Sequence, residues 1–340
     1  MIRSFLRRKL SEISSHLEAR DRLTAAKMLQ RIYEEERREL EAHPGRYPSK
    51  FGGLWTDRDD FEELLATKKL DEATKQRLRQ WRRDGFTVFE GAIPPSLLDP
   101  LNARMAEIEA EGGEDLKMTG PTFPQGIPLD TDWLVPGKST RIVDIYARVP
   151  EALDVLMSDE VTDWLKLIFE EQPHLTQSLS FIYGSEQAIH QDTNFVVMNS
   201  PMKMAAVWIA LEDVREGSGA LVYLPGSHRW PDHLFGGRYK HWREDRDGPA
   251  GYAEWEAWLR EQRETQGAKE QQFFAKKGDI LFWHAGLAHG GSPTAEDRPT
   301  RRSLVAHYTT KNHHPYYPPH DRKTTKVRNG VWSAGHYHQG

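Results

Sequence analysis

The chain has 340 residues, 38% hydrophobic and 29% charged, with 46 Lys and Arg against 51 Asp and Glu for a formal net charge of -5. That length can bury a sizeable core in one large or two ordinary domains, and the mild acidity argues against bulk attraction to nucleic acid or anionic membrane. Cysteine is absent, which excludes disulfides, thiolate nucleophiles and Cys-held zinc or iron–sulfur centres, so any metal must be held by His, Asp, Glu or backbone oxygen.

Residues 1 to about 45 place Leu23, Ala26, Leu29 and Ile32 at helical spacing, predicting one or two amphipathic helices. No continuous apolar run follows the basic start, so a secretory signal is not expected, and Glu12, Glu18, Asp21 and Glu34 to Glu36 weigh against a mitochondrial presequence. Nothing later approaches the roughly 20 apolar residues of a membrane-spanning helix. A cytoplasmic location is the expectation. A Pro- and Gly-containing loop over 44–55 leads to helices over 59–65 and 71–83, then the turn Asp84-Gly85 and a strand over 86–89. Pro94-Pro95 opens a helix that runs to about Glu111, and long loops are expected over 112–140.

From about residue 175 the pattern changes to short β-type runs, 177–183, 204–211, 220–224, 280–283 and 303–309, bounded by Gly, Pro, Ser or Asp. Many short strands with such turns suggest a sandwich or barrel. The break from Arg229 to about Gln271 is too long for a hairpin loop and predicts an insertion with some helix. Its Trp230, Phe235, Tyr239, Trp242, Tyr252, Trp255 and Trp258 either form the small core of a lid or cover a substrate. The tail beyond Lys311 is rich in His, Pro and Tyr, including His313, His314, His320, His336 and His338, and reads as an exposed segment.

Within the strand region, His190-Gln191-Asp192 sets an imidazole and a carboxylate two residues apart, and His289 follows in Ala288-His289-Gly290-Gly291-Ser292. Residues two apart share a face on a strand but not on a helix, so the motif calls for a sheet. Two imidazoles and one carboxylate, with coordination positions left open, make the facial triad of non-haem Fe(II) oxygenases. His284 is the rival for the second histidine.

These segments, with Trp208 to Glu212, Gly217 to His228 and Gly278 to His284, resemble the phytanoyl-CoA dioxygenase family of Fe(II)- and 2-oxoglutarate-dependent oxygenases over about residues 85–310. The resemblance implies a mainly β fold with flanking helices, a double-stranded β-helix (jelly-roll, cupin-like) core with a helical N-terminal region. It divides the chain into an N-terminal extension over 1–84, a core over 85–311 with an insertion or lid at about 229–271, and a tail over 312–340. It implies His190, Asp192 and His289 as catalytic metal ligands, Fe(II) as metal, and 2-oxoglutarate and O2 as co-substrates. The reaction implied is hydroxylation of a small molecule coupled to decarboxylation of 2-oxoglutarate to succinate and CO2. Related halogenases carry a small residue at the position of Asp192, so the carboxylate here points to hydroxylation.

Past the distal histidine the family places an arginine on the far carboxylate of 2-oxoglutarate, a role suited to its planar fork. Arg298, Arg301 and Arg302 are available, and matching the following strand to 303–308 selects Arg301, with Arg302 on the opposite face. Gln191, Trp208 and Arg141 correspond to positions that line the co-substrate pocket in relatives. Trp208 equally suits a core aromatic, and Arg141 suits pairing with a surface carboxylate such as Asp144. His228 is expected to shape a turn, and Asn194 and Phe195 to line the pocket. No nucleic-acid or membrane partner is expected. The competing readings are a cupin-type metalloenzyme independent of 2-oxoglutarate, and a non-catalytic binding module on the same fold.

Overall fold

A computed structural model describes residues 45–113, 115–196, 198, 200–297, 299–311 and 313, with two short segments at 326–328 and 331–333. The helices expected before residue 45, Arg298, and the tail histidines other than His313 lie outside the described residues.

Helix α1 (Phe61–Thr67) and helix α2 (Glu72–Asp84) come first. Asp71 caps α2 by accepting from the Thr74 N–H at 2.8 Å, and Gly85 ends it in the left-handed region at φ 78. Strand β1 (Phe86–Phe89) follows directly. Helix α3 (Pro95–Glu111) starts on a proline and buries Leu98, Leu101, Met105 and Ile108, one stripe at helical spacing. The region expected as loops instead contains β2 (Lys117–Gly120) and β3 (Phe123–Pro128), a hairpin whose first strand also pairs with β4 (Arg141–Val143). These strands are short and interrupted by Gly and Pro, so they show no alternation to read. Helix α4 (Pro150–Leu156) and helix α5 (Asp159–Phe169) bury Val155, Leu156, Trp164, Leu165 and Ile168.

The remaining strands are β5 (Pro173–Phe181), β6 (Ala205–Ala210), β7 (Leu221–Tyr223), β8 (Gln271–Phe273), β9 (Ile280–His284), β10 (His289–Gly291) and β11 (Ser303–Thr310), with β12 (Lys326–Arg328) and β13 (Val331–Ser333) at the end. The large sheet runs β1-β9-β6-β11-β5-β4-β2-β3, with β13 also alongside β5, and a small sheet runs β10-β7-β8. Strand alternation sorts the side chains into two layers. Ala205, Val207 and Ile209, with Ile280, Phe282, Leu304, Ala306 and Tyr308, face the helices, while Ala206, Trp208 and Ala210, with Leu281, Trp283 and Val305, face Leu221, Tyr223 and Phe273 of the small sheet. All six residues of β6 are buried because both its faces are covered. The helix-side layer includes Leu54, Trp55, Phe61, Leu65, Leu78 and Trp81, so the segment before β1 packs as part of the same core.

The insertion holds one long helix, α6 (Glu244–Thr265), kinked at Gly248 (φ 59) beside Pro249. Its Phe235, Trp255 and Leu259 form a small separate core with Leu224 and Ala288, and Ile189, Trp230, Tyr239, Trp242, Tyr252 and Trp258 pack around it. The insertion thus rests on Ile189 and Ala288, the residues before His190 and His289. Its near end is tied by Asp232, which accepts from Lys240 Nζ at 2.7 Å, Ser49 Oγ at 3.1 Å and the Lys50 N–H at 2.9 Å.

Gly85 joins these layers at their tightest point, because a Cβ there would stand 2.4 Å from His228 Nδ1 and the backbone is left-handed. Gly85→Ala is therefore expected to destabilise the fold by about 1–3 kcal/mol, the range for backbone strain in a sparsely populated conformation. Urea denaturation followed by tryptophan fluorescence checks this, and an unchanged midpoint would contradict the packing described.

Candidate metal centre

The site begins with a backbone pairing. His190 and His289 form an isolated antiparallel bridge, His190 N–H donating to His289 O at 2.8 Å and His289 N–H to His190 O at 2.9 Å. The glycines after His289 permit this approach, since a Cβ on Gly290 would stand 2.6 Å from Gln187 O. The motif expected on a continuous strand sits at a strand end. Gln191 is extended (φ -111, ψ 134), which keeps His190 and Asp192 on one face, and Asp192 then opens a 3-10 turn to Asn194.

The three side chains converge in a buried space. His190 Nε2 lies 3.8 Å and His289 Nε2 3.6 Å from Asp192 Oδ1, and one ligand atom from each residue falls within 4.8 Å of the others. Both tautomers are set by the backbone. His190 Nδ1 is 2.9 Å from Ala188 O and His289 Nδ1 is 2.9 Å from Leu287 O, so each Nδ1 carries the proton and each Nε2 lone pair faces the carboxylate. Trp283 Nε1–H donates to Asp192 Oδ2 at 2.7 Å, which leaves Oδ1 turned to the imidazoles. Burial, joined by the nearby His289, lowers the His190 pKa to about 4, so this imidazole is neutral near pH 7. Burial would raise the Asp192 carboxyl, but His289, His307 and His190 outweigh it and hold the group ionised. Two imidazoles and a carboxylate in this arrangement fit a divalent first-row metal such as Fe(II). Among the described residues this is the only cluster of such ligands close enough to hold a metal ion.

Behind the triad, the barrel interior carries polar atoms without hydrogen-bond partners: Trp208 Nε1, Arg301 Nε, Ser303 Oγ and His307 Nδ1. Buried polar groups are almost always satisfied, so such a set suits a polar ligand inside the barrel. Arg301 is 3% exposed, its guanidinium 5.4 Å from the Phe181 ring and 5.6 Å from the Trp208 ring. Burial lowers its pKa to about 10, opposed by Glu212, so it remains a cation at neutral pH. Arg302 turns to the other side and pairs with Glu109 and Glu212.

The other sequence-derived residues divide. Trp208 lines the interior beside Arg301, while Gln191 turns away from it and donates to Gly286 O at 2.6 Å. Arg141, on β4, acts electrostatically on His190. Asp144 is not a surface carboxylate: it is fully buried and accepts from the Ser178 N–H at 2.8 Å, because it turns the chain in the left-handed conformation after β4. His284 points away from the triad, toward Asp57 Oδ2 at 3.1 Å. His228 sits in the turn Ser227–Arg229, buried, with Nε2 3.1 Å from Arg82 O. Asn194 is buried and Phe195 is 37% exposed, its ring centroid 5.8 Å from that of His190.

Sequence reasoning missed Trp283 and His307. His307 is 3% exposed, with Nε2 3.4 Å from Asp192 Oδ2. Alternation from Arg301 along 303, 305 and 307 was the available signal. Removing the Trp283 donor by Trp283→Phe is expected to weaken Fe(II) binding about tenfold, the usual scale for a partner that orients a metal-ligating group. Anaerobic Fe(II) titration measures this, and wild-type affinity would show that the indole does not orient Asp192.

Comparisons with known proteins show a family from sequence and a fold from structure. The family model for phytanoyl-CoA dioxygenase matches residues 81–303, well over half of the chain. The chain is 26% identical over 288 residues to the peroxisomal phytanoyl-CoA dioxygenase of Rattus norvegicus, covering 79% of this chain and 77% of that one. It is 27% identical over 195 residues to phytanoyl-CoA dioxygenase domain-containing protein 1 of Danio rerio, covering 47% and 67%. Among solved structures it is similar to the epimerase SnoN in complex with Fe3+, alpha ketoglutarate and nogalamycin RO, with a TM-score of 0.52 at 19% identity over 72% of this chain and 86% of that one. It is also similar to EctD from S. alaskensis with 2-oxoglutarate and 5-hydroxyectoine, with a TM-score of 0.50 at 16% identity over 72% and 80%. These structural likenesses establish the jelly-roll fold, and the family match goes further: the chain belongs to the phytanoyl-CoA dioxygenase family of Fe(II)- and 2-oxoglutarate-dependent oxygenases.

Proposed function

We propose that this chain hydroxylates a small-molecule substrate, with His190, Asp192 and His289 holding Fe(II) and Arg301 holding the far carboxylate of 2-oxoglutarate. The observation that carries the reading is the convergence of two backbone-fixed Nε2 lone pairs on Asp192 Oδ1, beside a buried arginine whose Nε has no partner. Bound there, Fe(II) with 2-oxoglutarate and O2 supplies the oxidative decarboxylation to succinate and CO2 that drives the hydroxylation.

The chain's own residues supply binding, orientation and exclusion of water. Ala188 O and Leu287 O engage Nδ1 of both imidazoles and so leave each Nε2 as the atom presented to a metal. Trp283 holds one carboxylate oxygen and so limits Asp192 to presenting the other. Arg301, dry between Phe181 and Trp208, offers a fork of N–H donors that a carboxylate satisfies; without one, the buried charge is poorly compensated. That arginine weighs against a metalloenzyme independent of 2-oxoglutarate, which has no use for it. The intact triad weighs against a non-catalytic module.

On the substrate side, Phe195 presents a partly exposed ring beside His190 and against Tyr252 and Trp255 of the insertion. This supports entry along the insertion's inner edge, with Phe195 in contact with an apolar portion of the substrate. The fold neighbours' own names span an epimerase and a carbocyclase as well as EctD bound to a hydroxylated product. For this chain, Asp192 keeps the third protein position on the metal filled and favours hydroxylation over halide transfer.

The deciding experiment adds Fe(II) and 2-oxoglutarate without oxygen, records the visible metal-to-ligand charge-transfer band, and then admits O2 and measures succinate. Band and succinate are both expected, and absence of both would overturn the assignment. Asp192→Ala is expected to abolish succinate formation. Arg301→Ala should remove the band at 2-oxoglutarate concentrations that saturate the wild type, whereas Arg302→Ala should keep it; the reverse pattern would move the carboxylate site to Arg302.

A further inference from the structure

Outside the triad lies a second buried group of polar side chains that the chemistry above does not use. Asp57 ends the turn Trp55–Asp57, on a segment that precedes the family-matched region. Its Oδ2 accepts from the Leu54 N–H at 2.8 Å and lies 3.1 Å from His284 Nε2. His284 ends β9, and its Nδ1 accepts from the Gly286 N–H at 3.1 Å. Because Nδ1 accepts, the ring proton sits on Nε2 and is donated to Asp57. Gly286 O, in the next peptide unit, accepts from Gln191 Nε2 at 2.6 Å. Asp57, His284 and Gln191 are 6%, 1% and 3% exposed, so solvent does not substitute for these bonds.

Gly286 is therefore clamped between His284 and Gln191, and both sides lead to the metal ligands. Gln191 stands between His190 and Asp192. On the other side, the Leu287 N–H donates to His284 O at 2.8 Å, and Leu287 O in turn receives His289 Nδ1 at 2.9 Å. The turn packs closely on the His228 backbone, which a Cβ at Gly286 would meet at 3.2 Å, tighter than ordinary contact.

We propose that Asp57 and His284 are positioning residues of the metal centre: their buried pair fixes the Gly286 turn and, through Gln191 and Leu287, the orientation of all three ligands. The inference rests on the assignment of His190, Asp192 and His289 to Fe(II). It gives the segment before β1 a part in the site. It also gives Gln191 a role as the link between the ligand motif and that segment.

The test is anaerobic Fe(II) titration of the full chain, followed by calorimetry, with thermal stability measured in parallel. Asp57→Ala and Gln191→Met are each expected to raise the Fe(II) dissociation constant about tenfold. The double variant should lose about the same factor rather than their product, because both substitutions cut one chain. Asp57→Asn keeps an oxygen acceptor for Leu54 and His284 and should restore affinity to within about threefold of wild type. Ile168→Ala, in α5 and remote from the site, lowers stability through a cavity and should leave Fe(II) affinity unchanged. Unchanged affinity in Asp57→Ala, product-like losses in the double variant, or an equal loss in Ile168→Ala would each overturn the proposal. If Asp57→Ala does not fold, Gln191→Met alone decides: about tenfold weaker binding supports the clamp and wild-type affinity refutes it. A wild-type chain that binds no Fe(II) would instead remove the metal assignment itself.

Discussion

The whole site depends on two backbone hydrogen bonds, those that join His190 to His289 across the mouth of the barrel. They bring together residues almost a hundred positions apart in the chain. They do so through groups that every residue possesses, which frees both imidazoles for other work. Each ring then finds a carbonyl two residues before it, Ala188 O or Leu287 O, and this local contact selects the tautomer. The geometry of the centre is thus set by the main chain first, and the side chains inherit it.

Sheet alternation supplies the second half of the arrangement. Strands β6, β9 and β11 are covered on both faces, so one set of side chains meets the helices and the other meets the small sheet. The interior set is where apolar packing gives way to Arg301, Ser303 and His307 along one side of β11. Small residues at Ala206 and Ala210 flank Trp208 on the same inner face. A buried polar patch thus follows from the alternation that builds the core, with polar side chains substituted at a few inward positions.

Much of this was legible in the sequence, and what was not has physical reasons. Triplet spacing, the His-Gly-Gly-Ser segment and the order of the flanking strands singled out the same three residues that the structure brings together. Strands β6 and β9 were readable because they are nearly continuous apolar runs, and β11 through its β-type segment Leu304 to Ala306. The hairpin β2-β3 was not, since Gly and Pro interrupt it and its pairing with β4 is a tertiary matter. Asp144 was misread as a surface group because the sequence does not show that a left-handed turn buries it. His284 looked like a possible ligand from its neighbours alone. Only its partner Asp57, 227 positions away, shows where the ring points. The roles of His307 and Trp283 were missed for a similar reason: alternation can place His307 on the inner face, but an interior His or Trp on a strand looks the same whether it packs or meets a carboxylate.

Asp232 lies far from the chemistry, yet it bears on how the site is reached. A single carboxylate gathers Lys240, Ser49 and Lys50, so the start of the insertion and the segment before the first helix share one anchor. Releasing that end would strand a buried ammonium against its only described counter-charge, a cost of several kcal/mol by the usual measure of a broken buried pair. The insertion is therefore anchored on one side. Beyond the Gly248 kink, α6 carries Tyr252 and Trp255 against the Phe195 ring. The helix that meets Phe195 and the strands that carry the metal ligands are thus separate elements, so side chains of the one can change without altering the other.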